Sequence, residues 1–126
     1  VTLAAVLYAK ELDRLVEFYA TVGLVVDESE HGHYAVLTGR GVELSIIQVP
    51  EPIASQIDIA NPPQTRSRTP IKLAFFVPSI AAALEAGRRL GGRVDAASKR
   101  WEFRGHAVQD AVDPEGNQYQ LREPLR

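Results

Sequence analysis

The chain repeats itself. A shift of 68 positions superposes Leu12 on Ile80, Val16 on Leu84, Val22 on Leu90, Gly23 on Gly91 and Val26 on Val94. A helical stripe, the glycine that stops it and the segment that follows therefore recur in register, which is the signature of an internal repeat. Whatever fold the chain adopts must accommodate two copies of one supersecondary unit.

The content of that unit can be read from periodicity. Thr2 to Ala9 is a short apolar run with no helix-length continuation, which predicts a buried strand. Leu12, Leu15, Val16, Tyr19 and Val22 then make an amphipathic helical stripe ending at Gly23. Leu24 to Asp27, Tyr34 to Thr38 and Val42 to Val49 predict three further strands, the last two joined by the compact turn Gly39-Arg40-Gly41. The first half is thus βαβββ. Pro50 to Pro70 carries five of the eight prolines and a polar QTRSRT run, a density expected to exclude any regular element and to leave a linker or a lid. The pattern restarts with a strand at Ile71 to Val77, an N-cap at Ser79 and the stripe Ile80, Ala83, Leu84, Gly87, Leu90 before Gly91-Gly92. Val94 to Ala96, Ala107 to Val112 and Asn117 to Arg122 are the expected later strands. Asp113-Pro114-Glu115-Gly116 between the last two has the residues of a type I turn.

These boundaries predict an α+β chain, residues 1–126 as one domain, with a first module over about 1–49, a linker over about 50–70 and a second module over about 71–126. The helix of each module covers one sheet face. The opposite faces are expected to curl into an open, mixed β-sheet barrel around a concavity that takes a small molecule, the helices lying outside. Strand alternation assigns the faces. Leu3, Ala5 and Leu7 belong under the first helix, and Ala4, Val6 and Tyr8 opposite. Leu44 and Ile46 lie beneath, with Glu43 and Ser45 opposite. In the second module Phe75, Tyr119 and Leu121 belong under the helix, and Lys72, Phe76, Gln118 and Gln120 in the cavity. Tyr8, Phe76 and Trp101 are candidates for an aromatic wall.

Composition narrows the chemistry. The chain has no cysteine, which removes disulfides, thiolate metal sites and a cysteine nucleophile. A formal charge of −2 gives no footprint for nucleic acid or an anionic membrane, and no apolar run reaches spanning length. VTLAAVLYA lacks the pattern of a signal peptide, and a cytoplasmic location is the expectation. No sequence elbow surrounds Ser45 to make it a nucleophile, and no phosphate-binding glycine motif is present. His31 and His33 flank Gly32 where a turn is expected, so exposed hairpin histidines are favoured over metal ligands. His106 is expected at a rim, and Arg66 and Arg68 in a solvated linker.

With these residues in place, Glu11 to Leu24 (ELDRLVEFYATVGL), Gly41 to Val49 (GVELSIIQV), the second helix ending in LGG, and Val112 to Leu121 (VDPEGNQYQL) resemble the vicinal oxygen chelate superfamily. That group includes glyoxalase I, bleomycin-resistance proteins, methylmalonyl-CoA epimerase and extradiol dioxygenases. The resemblance implies a divalent metal held by four positions, which align here with Ala4, Glu43, Lys72 and Gln120. Ala4 has no donor and a protonated Lys72 repels a cation, so the expected site residues include no metal ligand and no cofactor is expected. The resemblance further implies a homodimer. Glu43, Lys72 and Gln120 are then expected to pair with one another, the ammonium standing roughly where the metal would be. The expected function is metal-independent binding of a small organic ligand. The alternatives are an isomerase or lyase with Glu43 as general base, or a metalloenzyme with a shifted ligand set.

Overall fold

A computed structural model describes residues 2–66 and 68–126; Val1 and Ser67, the latter inside the proline-rich segment, lie outside the described residues. The chain divides into two compact units, Val1–Asp58 and Ile59–Arg126.

The first unit contains β1 (Leu3–Ala9), α1 (Leu12–Ala20), β2 (Val25–Glu30), β3 (Tyr34–Gly39), β4 (Val42–Gln48) and a short α2 (Glu51–Ala54). Its sheet has the order β1-β4-β3-β2. The α1 crossover brings β1 parallel to β4, pairing Ala4 with Glu43, Val6 with Ser45 and Tyr8 with Ile47. Hairpins make the remaining pairs antiparallel. Leu12, Leu15, Phe18 and Tyr19 of α1 are buried, as are Leu37, Leu44 and Ile46 on the strands. Phe18 meets Tyr19 edge-on at 5.1 Å. Phe18 takes the core position that the stripe had assigned to Val16, which is only half-buried.

The second unit contains β5 (Leu73–Phe76), α3 (Ile80–Arg89), β6 (Trp101–Phe103), β7 (His106–Val112) and β8 (Gln118–Pro124), in the sheet order β5-β8-β7-β6. Again the first strand lies parallel to the last, with Ala74 opposite Gln120 and Phe76 opposite Arg122. Ser79 Oγ accepts a hydrogen bond from Ala82 N (3.1 Å), and Glu123 Oε1 accepts one from Ile80 N (2.9 Å), so two donors at the start of α3 are satisfied by side chains. Ser79→Ala is expected to destabilise the protein by about 1 kcal/mol in urea unfolding, with Glu123 retaining its share of the cap.

Three expectations are corrected. The strands do not form a curled, barrel-like sheet. They form two separate four-stranded sheets, and no ladder joins them among the described residues. Each unit satisfies its own first strand by pairing it with its own last one, which leaves β1 and β2, and β5 and β6, as edges; barrel closure requires edges to be consumed. Val94 to Ala96 is not a strand. Arg93 makes an isolated bridge with Val112, and the chain then turns, Ser98 N donating to Asp95 O at 2.9 Å. The edge beside β7 is taken by Trp101–Phe103 through the two-residue turn Arg104-Gly105, both at positive φ (49° and 77°), the geometry that matches strand twist. Finally, the proline-rich segment contains α2. Pro52 lies in the first turn of that helix, where a missing N–H removes no helical bond.

Pro63, Thr65 and Arg66 of that segment are tied down within the second unit. Arg93 donates to Pro63 O and to Thr65 Oγ1 (2.6 Å) and pairs with Asp95, while Thr65 Oγ1 donates to Asp95 Oδ2 at 2.9 Å. The guanidinium beside Asp95 holds its carboxyl below the usual carboxylate range. Arg66 N donates to Gly116 O at 2.7 Å and bridges to Asn117.

Candidate functional site

The sheet of the second unit has a packed face and an open face, and alternation sorts its residues between them. Phe75, Tyr119 and Leu121 are buried on the α3 side. The cross-strand pairs Trp101 with Val108, Phe103 with His106, Asp110 with Gln120 and Val108 with Arg122 put the other parity together on the open side. There, Phe76 (64% exposed), Trp101 (41%) and Phe103 (48%) leave large apolar surface uncovered.

A polar chain crosses this face. Lys72 Nζ binds both carboxylate oxygens of Asp110 at 2.9 Å. Asp110 Oδ1 accepts from Gln120 Nε2 (3.3 Å), and Gln120 Oε1 accepts from Arg122 Nε (2.7 Å). Aromatic rings flank it: Trp101 lies 5.9 Å from the Lys72 ammonium, and Phe76 and Phe103 lie 5.6 and 5.3 Å from the Arg122 guanidinium carbon. His106 Nδ1 donates to Arg104 O at 3.0 Å, and the imidazole meets Phe76 edge-on at 5.0 Å.

Of the residues expected from sequence, Lys72, Phe76, Trp101 and Gln120 therefore belong to one connected group. Gln118 stands half-buried two residues before Gln120 on the same strand. Tyr8, Glu43 and Ser45 lie on the open face of the other unit's sheet. There Tyr8 is 66% exposed, Glu43 is exposed and Ser45 is half-buried opposite Val6. Nearby, Tyr34 Oη donates to Glu28 Oε2 (2.9 Å), and that bond pushes the phenol pKa up. The carboxylate that Lys72 reaches is Asp110. Sequence reasoning passed over Asp110, Phe103 and Arg122, although continuing the alternation two residues past Gln120 arrives at Arg122. The ladder also shows that Ala74, rather than Lys72, stands opposite Gln120 as Ala4 stands opposite Glu43.

The four positions aligned with a divalent metal site do not suit one. Ala4 and Ala74, its counterpart in the second ladder, offer only methyl groups, the Lys72 ammonium is engaged by Asp110, and the Gln120 oxygen already accepts from a guanidinium, which leaves Glu43 as the one carboxylate in the set. Among the described residues no three His, Asp or Glu side chains form a metal-holding group. His31 and His33 are exposed at the β2–β3 turn, and Arg68 is exposed in the proline-rich segment.

A cleft of ≈510 Å³ lies on the opposite side of the second sheet, lined by Leu84, Arg88, Arg93, Val94, Arg100 and Tyr119 among others. Its chemistry is poor. Glu85 at its wall is paired with Arg88, which holds the carboxyl below its ordinary range, and burial pushes the Tyr119 phenol well above its own. The open face, with its connected polar chain and aromatic rings, is the stronger candidate.

Residues 4–122 match the family model of the glyoxalase-like domain. No curated protein matches the sequence. Among solved structures the chain is similar to a glyoxalase/bleomycin resistance protein/dioxygenase family enzyme from Burkholderia phytofirmans PsJN (16% identity, 97% of each chain covered, TM-score 0.68). It is also similar to a glyoxalase/bleomycin resistance protein from Albidiferax ferrireducens T118 (18%, 97% of each, 0.66). A third similar structure is a bleomycin-binding protein complexed with bleomycin (14%, 99% of each, 0.58). At such identities the likeness is one of fold.

Proposed function

Since the chain belongs to the glyoxalase-like domain family of the vicinal oxygen chelate superfamily, we propose that it is a member that binds a small organic molecule without a metal, as a cytoplasmic homodimer. The observation that carries this reading is the Lys72–Asp110–Gln120–Arg122 chain, which ties up Lys72 and Gln120, two of the four aligned positions, and sits among Phe76, Trp101 and Phe103. Exposed rings supply the apolar contact, and a few fixed polar groups orient the ligand. The bleomycin-bound relative supports the reading, because its fold accommodates an organic ligand.

Two measurements on purified protein test it. After chelation, titration with nickel, zinc and manganese is expected to give no stoichiometric uptake and no thermal shift; one equivalent of tightly bound metal would overturn the metal-free reading. A thermal-shift panel of bleomycin, neutral aromatic amides and aromatic carboxylates is expected to contain a stabilising compound. A ligand at a hundredfold excess over its Kd adds about 2.7 kcal/mol.

A further inference from the structure

Arg122 is the unbalanced member of the open face. The Lys72 charge is met by Asp110, whereas Arg122 gives its Nε to the neutral oxygen of Gln120 and has no carboxylate partner among the described residues. Glu123, its neighbour in sequence, points to the other face and accepts from Ile80 N. Glu102 lies opposite Ala107, and Ala107 opposite Glu123, so it too belongs to that other face. With Nε occupied, the two terminal nitrogens of the half-buried Arg122 remain available as a planar fork, with no hydrogen-bond partner among the described residues. That fork matches a carboxylate and is flanked by Phe76 and Phe103.

We propose that Arg122 anchors the ligand by its carboxylate, and that the ligand class is a small aromatic carboxylate whose ring lies against Phe76, Phe103 and Trp101. This rests on the reading that the open face binds a small organic molecule. The Lys72–Asp110 pair is neutral as a unit, so Arg122 gives the face its net positive character and selects for the anion.

Trp101 is the sole tryptophan and lies on this face, so its fluorescence reports binding there. The probes are benzoate, 2-naphthoate, their uncharged amides and inorganic phosphate. A carboxylate is expected to bind saturably and at least about tenfold more tightly than its amide, with phosphate not binding. Arg122→Lys is expected to weaken carboxylate binding about tenfold, and Arg122→Met to bring it down to the level of the amide, each in protein whose circular dichroism and cooperative melting show it to be folded. Equal binding of carboxylate and amide would overturn the anchor and leave the small-molecule reading standing. Equal binding of phosphate would overturn the aromatic part of the proposal. A face that binds neither acid nor amide in wild-type protein would overturn both proposals. Unaltered carboxylate affinity in a folded Arg122→Met would reject Arg122 as the anchor.

Discussion

Replacing Gly116 by alanine is expected to cost about 3 kcal/mol or more. Gly116 ends the Asp113-Pro114-Glu115-Gly116 turn at φ 89°, a conformation that is strained for any residue bearing a Cβ. The surroundings add to this, because a Cβ built there would lie 2.1 Å from the carbonyl oxygen of Gln64. That atom is backbone and cannot rotate away. Either the 64–66 segment moves and gives up the Arg66 N to Gly116 O bond, or the turn opens. Gly32 supplies the comparison: at φ 77° it carries similar backbone strain, but an added Cβ would meet nothing within 4 Å. Gly32→Ala is therefore expected to cost only about 1 kcal/mol. Urea unfolding of both variants decides the matter. Equal losses would mean that the Gln64 contact is not made in solution.

Asp113→Ala is expected to be comparably severe, at about 3 kcal/mol. Asp113 is fully buried, yet its Oδ1 accepts from Glu115 N (2.8 Å) and Asn117 N (2.9 Å) and its Oδ2 from Asn117 Nδ2 (2.8 Å). Alanine would leave all three donors without this acceptor, Glu115 N in a buried position and the two Asn117 groups in a half-buried one, and unmet buried donors cost more than the bonds themselves contribute. Asp113→Asn keeps an acceptor for the backbone but turns an amide donor toward Asn117, so an intermediate loss is expected. Because both residues hold the same turn, Asp113→Ala and Gly116→Ala together should cost less than the sum of their separate effects. A loss below about 1 kcal/mol for Asp113→Ala would show that the donors find water instead.

The fold was legible where local chemistry decides it. The stripes around Leu15 and Ile80 and the cap at Ser79 show in the sequence because helix periodicity and capping depend on residues a few positions apart. The turn at Asp113 shows for the same reason. What failed was set at longer range. Whether Val94 or Trp101 provides the edge of the second sheet depends on which segment reaches β7, and a repeat offset taken from the helices cannot register hairpins of different length. The expected barrel failed similarly, since alternation tells which face a residue takes and says nothing of which edges pair. For the candidate site, alternation placed Lys72, Phe76 and Gln120, but hydrogen-bond partners lie across strands. Asp110 and Arg122 became visible only when the ladder set them beside Gln120.

Adjacent residues of β8 answer to different demands. Tyr119, Leu121 and Glu123 serve the helix side, where they fill the core and hold the start of α3, while Gln118, Gln120 and Arg122 serve the open side. A library confined to the even-numbered positions of this strand, with Phe76, Trp101 and Phe103, would vary recognition while leaving the helix-side packing untouched. Under the proposed binding reading, substitutions at these positions change ligand preference without entering the helix-side core, with Gln120, buried and bonded to Asp110 and Arg122, the position where recognition and stability meet.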